Sequence, residues 1–513
     1  MREGLQRRCG AVVMGALLAG LCGCGGGANP AAVPVFTPST GNNVLTAAEV
    51  TSIVNAAAAS VNVPLVIAVS DRRGVVLAVY AKTGSAATTT ANYGVVQPSD
   101  EVAVALARTA AFFSNDQAPI GSRTVRFLSG IHFPPGVTNA ESAPLYGIEN
   151  TNRGCGFNVS YLAGQSLPVP GLLHAAGAGL GMQTGKADLL DSDATAVNPG
   201  GVPIFKNGRV AGGIGVVAAT GTANYKAVVE YAAVAGTVGN GFAPVVPYPG
   251  VVVVGGVALP FVSQTTLPSG VSAGIANGVF TVGPLAGSGA APEGDLIAEH
   301  AGSLLTLAQV QGIVQNAIAT GAVTRAAIRL PVGSRARFVI AVADVDGSLL
   351  ALYRMADATM FSVDVAVAKS RNVIWFSGAG AGDLSGVTAG TAVTNRTIGF
   401  AAQPLYPEGI DGTAPGPFYT LFTNDVVHAC TQGSQTVNAN QNGVVFFPGS
   451  VPLYLNGKVV GGLGVSGDGV DQDDYAAAGG AAGYEAPSGV RADQYFDRGV
   501  RLTYQKFPAN PTQ

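Results

Sequence analysis

Six blocks of this 513-residue chain occur twice, in the same order. Leu45–Ala57 returns as Leu305–Ala317, Ile67–Tyr80 as Ile340–Tyr353, and Glu101–Ser114 as Asp364–Ser377. Ser122–Phe127 returns as Asn395–Phe400 and, more weakly, Gly256–Phe261 as Gly499–Tyr504. The clearest pair is Gly201–Val216 with Ser450–Val465, identical at nine of sixteen positions. A chain that repeats in this way must build one supersecondary unit twice. Residues 45–262 and 305–513 are therefore expected to be two domains. Residues 24–44 and the Gly-, Ser-, Ala- and Pro-rich stretch 263–304 read as linkers. Each repeat also carries a long insertion before its closing hairpin, residues 115–199 and 378–448.

The local signals give an order of elements. Thr46 with Glu49 three residues later is a capping box, and Thr306 is an equivalent N-cap. Val50, Ile53, Val54 and Ala57 then recur at helical spacing. Asp71–Gly74 and Asp344–Gly347 separate β-rich runs and read as hairpin turns. Further helices are expected at Glu101–Phe113, Asp364–Phe376 and Asn224–Val234. Asn207-Gly208 and Asn456-Gly457 lie between apolar strands, where both residues tolerate the positive φ of a type I′ turn. Helix, hairpin, helix, hairpin, helix predicts an α+β fold: two tandem domains, each an antiparallel sheet with packed helices and a long insertion.

Composition excludes several classes. A formal charge of -3 leaves no basic field for nucleic acid. The 72 glycines follow no collagen period, and five cysteines are too few for a disulfide scaffold. Four histidines with no close pair exclude the common zinc motifs, so no metal site is expected. Arg2, Arg7 and Arg8 precede an apolar run too short to span a bilayer, which reads as a signal peptide over residues 1–23. Leu21-Cys22-Gly23-Cys24 resembles a lipobox, with Cys24 as the lipidated residue. Three arginines and one glutamate leave with that segment, so 24 basic and 29 acidic side chains remain. The expectation is an exported protein, lipid-anchored in the cell envelope and, because Gly25 follows Cys24, at the outer membrane.

The repeated motifs resemble the GlcG/HbpS-like haem-binding family. The resemblance rests on the LT-x-x-x-V helix opening, AV-x-D-x-x-G, Tyr353–Ala358, Ala368-Lys369 and VP-x-x-x-NG-x-V-x-GG-x-GV. It implies a profilin-like fold, oligomeric assembly and, in some members, non-covalent binding of haem or a related tetrapyrrole. The family is usually a single short domain, whereas this chain carries two. They are therefore expected to pack as an intramolecular pseudo-dimer. The first repeat departs from the pattern, with Leu106 where the second has Lys369.

No histidine falls inside a family motif. Imidazole suits haem iron, so His132, His174 and His428, all in the insertions, are the candidate haem ligands. Arg108, Arg123, Arg371 and Arg396 occupy equivalent positions in pairs and are candidate anion-binding residues. They can clamp a ligand carboxylate or, alternatively, hold internal carboxylates and carbonyls. Asp344, Asp346, Asp468, Asp471, Asp473 and Asp474 match no calcium array and read as solvated loops. Gly-Gly-x-Gly in both hairpins lies within strands, where close backbone packing explains it better than a phosphate loop. Cys155 and Cys430 sit at near-equivalent points of the two repeats and are a candidate disulfide. No nucleophile–base pair stands out, so no catalytic residue is assigned. The leading reading is an envelope ligand-binding lipoprotein. Its rivals are a non-catalytic structural or interaction lipoprotein and an enzyme of unknown chemistry.

Overall fold

The structure, a computed structural model, describes residues 41–155, 179–191, 193, 195–244, 251–287 and 289–512. Cys24 and His174 lie outside the described residues. The first half opens with α1 (Ala47–Ser60), β1 (Val66–Asp71) and β2 (Val76–Lys82), then a short hairpin of β3 (Thr88–Thr90) and β4 (Val96–Pro98). It continues through α2 (Ser99–Phe113), α3 (Ser122–Ser129), β5 (Gly201–Lys206), β6 (Arg209–Val217) and α4 (Tyr225–Val238). A hairpin of β7 (Val251–Val254) and β8 (Val257–Pro260) follows, then β9 (Gly278–Val282) and β10 (Gly294–Ile297). The second half runs α5 (Leu307–Val323), β11 (Phe338–Ala343), β12 (Leu349–Arg354), α6 (Phe361–Ser377), α7 (Asn395–Ala401) and α8 (Tyr419–Val427). It ends with β13 (Ser450–Leu455), β14 (Lys458–Gly467), α9 (Val470–Gly480), β15 (Phe496–Asp497) and β16 (Val500–Arg501). This is a mixed α+β structure with antiparallel sheets.

Helix starts and turns follow from the residues that form them. Thr46 accepts from the Glu49 amide while the Glu49 carboxylate accepts from the Thr46 amide, and Thr306 with Gln309 makes the same box. Asp71 Oδ1 accepts from the amides of Arg73 and Val75 and closes the first turn. Asn207-Gly208 and Asn456-Gly457 take φ of 54° and 75°, and 51° and 76°, as the turn type requires.

Two five-stranded sheets result, with strand orders β5-β6-β1-β2-β9 and β13-β14-β11-β12-β10. Equivalent residues keep equivalent register: Ile67 faces Val216 and Tyr80, and Ile340 faces Val465 and Tyr353. The fifth strand of each sheet comes from residues 263–304. That stretch is therefore not a plain linker. Its backbone pairs β9 with β2 and β10 with β12, which caps both sheet edges.

Alternation along a strand sends neighbours to opposite faces. A Cβ on Gly213 or Gly215 would lie about 2 Å from the Ala107 or Ala103 carbonyl of α2, so these glycines let the helix backbone touch the strand. Ile214, between them, packs on the other face beneath Gly236 of α4. Gly462, Gly464 and Leu463 repeat this arrangement against α6 and Gly480 of α9. Each sheet therefore carries α2 or α6 on one face and the pair α1/α4 or α5/α9 on the other.

The two sequence halves share one interior. The rings of Phe113 and Phe361 stack with centroids 4.1 Å apart, and the Met360 amide donates to the Phe112 carbonyl. Arg329 is fully buried between Asp468 and Asp357 and donates to Gln117 of the other half. The insertions cross the same seam. Ser142 donates to Glu408, Tyr146 stacks on Phe422, and Cys155 is joined to Cys430 with Cα atoms 5.1 Å apart.

Candidate ligand-binding site

Where α2, α3, α6 and α9 converge, their ends enclose an apolar chamber of about 220 Å3. The first half supplies Phe113, Ile120 and Leu128, joined by Phe133 and Leu145 from its insertion. From the second half come Ile328, Phe361 and the β14–α9 corner, Ser466 to Asp473. The corner turns at Gly469, whose φ of 144° suits glycine alone. A more polar chamber of about 360 Å3 adjoins it across Phe133, Pro144, Val470 and Asp471. Its walls include Arg396, Gln403, Glu408 and Lys506. Burial and the neighbouring Glu141 push the Glu408 carboxyl up, against the Ser142 hydroxyl that donates to it.

One wall of the apolar chamber carries charge. Lys369, on the buried face of α6, places Nζ 3.0 Å from Asp473 Oδ2 and 2.9 Å from the Val465 carbonyl. The same ammonium lies 4.9 Å from the centre of the Phe447 ring. Both members of the pair are inaccessible to solvent. Burial pushes Asp473 up to about 7, with Lys369 opposing. Burial likewise draws Lys369 down, with Asp473 opposing. Asp473 Oδ1 is buried and meets no hydrogen-bond donor among the described residues. The chamber can thus hold an apolar body, with the Lys369–Asp473 pair buried behind one wall.

The acidic residues expected in solvated loops are largely inside. Asp468, Asp473 and Asp474 are buried: Asp468, at the corner before α9, meets Arg329, and α9 turns Asp473 and Asp474 inward onto Lys369 and Arg396. One signal was available in the sequence: a lysine directly after the apolar run Val365–Ala368, at a position where the first repeat has leucine.

The four candidate anion-binding arginines are engaged internally, in matching pairs. Arg108 and Arg371 each donate Nε to a turn carbonyl, of Gly74 and Gly347, at 2.9 Å. Burial draws each of these guanidiniums down to about 10. Arg123 binds both oxygens of Glu230 on α4, and Arg396 binds Asp474 and Asp471 on α9. Arg123 and Arg396 are thus engaged by the protein's own carboxylates and Arg108 and Arg371 by turn carbonyls, the internal alternative of the two readings. Arg396 also reaches the wall of the polar chamber, and Arg371 lines a separate cavity beside Asp346 and Trp375.

The histidines do not assemble at the chamber. His132 Nε2 lies 2.6 Å from Asp411 Oδ1, which ties the two insertions together. His428 caps α8, exposed, with Nδ1 3.3 Å from the Asn424 carbonyl. Neither lines either chamber, so the described residues offer no imidazole to a ligand there.

Residues 306–482 match the family described as "Haem degrading protein HbpS-like". The match lies within the second half and covers about a third of the chain. That stretch contains Lys369, Asp473 and most of the charged wall. A 58-residue stretch is 41% identical to an uncharacterized 15.0 kDa protein of Citrobacter freundii encoded in a dhaT-dhaS intergenic region. It spans 11% of this chain and 41% of that relative, so the chain covers well under half of it. Solved structures with slight similarity include Klebsiella pneumoniae protein ORFY, 20% identical over 35% of this chain and 89% of that one, with a TM-score of 0.24. A PduOC:heme complex is 21% identical over 35% and 93%, with a TM-score of 0.23. Streptomyces reticuli HbpS, as a double mutant, is 18% identical over 35% and 87%, with a TM-score of 0.21.

Proposed function

We propose that this protein is a cell-envelope binding protein for haem or a related tetrapyrrole, held non-covalently in the chamber between its two halves. The observation that carries the reading is an apolar chamber built on the corner of the HbpS-like domain and closed by the other half. Ligand sites are typically apolar clefts with a few placed polar groups, as here. In the adjoining chamber Lys506, mostly exposed and 3.7 Å from Asp471, is the cation with reach to a ligand's acid side chain. Neither chamber supplies histidine, so binding is expected to depend on the macrocycle rather than on an imidazole–iron bond.

The assembly and location belong to the same proposal. The two halves are two HbpS-like domains that take the places of two subunits in one chain. The matched arginines and the meeting of near-equivalent Cys155 and Cys430 support this. The lipobox spacing supports lipidation at Cys24 and an outer-membrane home. Mass spectrometry of the envelope fraction should show a diacylated Cys24 peptide.

Absorbance titration of the purified protein with haem and with metal-free protoporphyrin IX tests the ligand. Saturable binding of either at micromolar concentration is expected. Val470→Trp, which fills the shared wall, should abolish it without lowering the melting temperature. Absence of saturable binding by the wild type refutes the proposal.

A further inference from the structure

The duplication singles out one corner of the second half. Phe112 and Trp375 are equivalent, as are Arg72 with Val345 and Arg73 with Asp346. In the first half this corner is shut: Phe112 is buried, its carbonyl takes the Met360 amide, and Arg72 Nη1 donates to the Ala111 carbonyl. In the second half Val345 and Asp346 are exposed and Trp375 is partly exposed. A cavity of about 310 Å3 opens there between the Asp344–Gly347 turn, the C-terminal end of α6 and the second insertion. It lies at the far end of α6 from Phe361, which lines the apolar chamber, so it stands apart from the reading of that chamber.

The polar groups on this cavity are held in place yet not used up. Arg371 Nε donates to the Gly347 carbonyl, the task it shares with Arg108, and Nη1 donates to Asn442 Oδ1. Its Nη2 meets no acceptor among the described residues and is not sealed from solvent. A chain of amides fixes Gln435: Asn372 Nδ2 donates to Gln432 Oε1 at 2.6 Å, and Gln432 Nε2 donates to Gln435 Oε1 at 2.8 Å. Gln441 adds a second donor to that oxygen at 2.9 Å. That direction leaves Gln435 Nε2 as a donor without a partner among the described residues, likewise not sealed from solvent. Asp346 Oδ1 accepts from the Ser348 amide and hydroxyl, which leaves Oδ2 as an open acceptor. Trp375, the chain's single tryptophan, is fixed by donation from Nε1 to Asp383 and by Gly380 against its pyrrole ring.

We infer that this cavity binds a neutral sugar ring. Arg371 and Gln435 offer donors and Asp346 an acceptor. Each hydroxyl of a sugar both donates and accepts, so adjacent hydroxyls answer both kinds at once. The C–H face of a pyranose is slightly positive and settles on the negative face of an indole. An amino acid, the rival that the opposite charges of Arg371 and Asp346 admit, has no flat C–H face for the indole. A volume of about 310 Å3 sits at the small end of ligand pockets, ~300–1,000 Å3, which suits a single ring or the end of a glycan. The fold does not ask for this set, because the first half is built with phenylalanine and arginine at the positions of Trp375 and Asp346.

Trp375 reports on its own cavity. Its emission is followed as the purified protein is titrated with glucose, galactose and N-acetylglucosamine, with maltotriose and chitotriose, and with alanine and glutamine. A saturable change at millimolar concentration with at least one sugar is expected, and none with either amino acid. Tighter binding of a trisaccharide than of its monosaccharide assigns the site to a glycan end, and equal binding assigns it to a free sugar; both uphold the sugar ring. Asp346→Asn keeps an acceptor for Ser348 and removes the open one. It should weaken the sugar about 10- to 100-fold, the worth of a charge-assisted hydrogen bond, with the melting temperature unchanged. Ala379→Phe, on the exposed rim of the cavity, should abolish sugar binding and leave a haem titration as in the wild type. No saturable change with any of these sugars, a response to the amino acids instead, or an affinity unchanged in either variant overturns the inference.

Discussion

Asp425, on α8 beneath the joined insertions, is expected to make the protein less stable as pH rises. It is fully buried, and its Oδ1 accepts from the Val444 amide at 2.9 Å. Burial pushes its carboxyl up from 3.8 to about 8, against Arg153 and the Val444 and Asn150 hydrogen bonds. Between those values the folded protein holds a proton that the unfolded chain has released. Stability is then fully present below about pH 4 and falls until the pH passes about 8, where the folded group also ionises. At ~1.36 kcal/mol per pH decade the ceiling is about 6 kcal/mol.

Asp425→Asn keeps the shape and the acceptor for Val444 but holds no titrating proton. The variant should match the wild type near pH 4.5 and exceed it progressively to pH 8. For a chain of this length a gain of a few kcal/mol corresponds to a rise in melting temperature of about 3–6 °C. Thermal melts of both proteins at pH 4.5, 6.5 and 8, at one scan rate, measure the divergence. Parallel melting temperatures across that range, or a variant less stable at pH 8, would refute the reasoning.

Two further perturbations test the seam. Arg329→Met leaves Asp468 and Asp357 buried without their shared cation and should cost about 3–5 kcal/mol, read as a large fall in melting temperature at neutral pH. Replacing Cys155 and Cys430 with alanine opens a loop with a sequence separation of 275 residues and should cost about 2–5 kcal/mol; an unchanged melt would show that the bridge adds nothing to the packed seam.

What the sequence disclosed was what local chemistry decides. The Thr46 capping box, the Asp71 turn and the Asn-Gly hairpins depend on residues within four positions of one another, and each forms as its chemistry dictates. The duplication then placed equivalent elements in equivalent sheets. What escaped was decided by distant partners. Val279–Val282 is a short β-prone run, but it stands inside a Gly-, Ser-, Ala- and Pro-rich stretch that reads as a linker, and β2 supplies the edge on which it pairs. His132 read as a free imidazole because Asp411 lies 279 residues away. Asp468 and the acids of α9 read as solvated because Arg329, Lys369 and Arg396 reach them from three other segments.

Duplication also separates residues that serve the fold from residues that serve a ligand, provided differences are weighed by how they are satisfied. Arg108 and Arg371 do one task in both halves, so they belong to the fold. Lys82 occurs in the first half where the second has Met355, yet this difference has a local use. Its ammonium donates to the Ala58 and Val61 carbonyls at the end of α1, where a cation complements unpaired acceptors. Met355 instead presents its sulfur to the Phe338 amide and packs near Gly321, so each solution is complete. The Lys369–Asp473 pair is a difference of another kind. Its first-half counterpart is apolar, whereas the pair buries both groups and leaves Asp473 Oδ1 without a donor among the described residues. A difference that closes on itself reflects drift in packing; this one leaves a buried acceptor unmade, which is a cost to the fold.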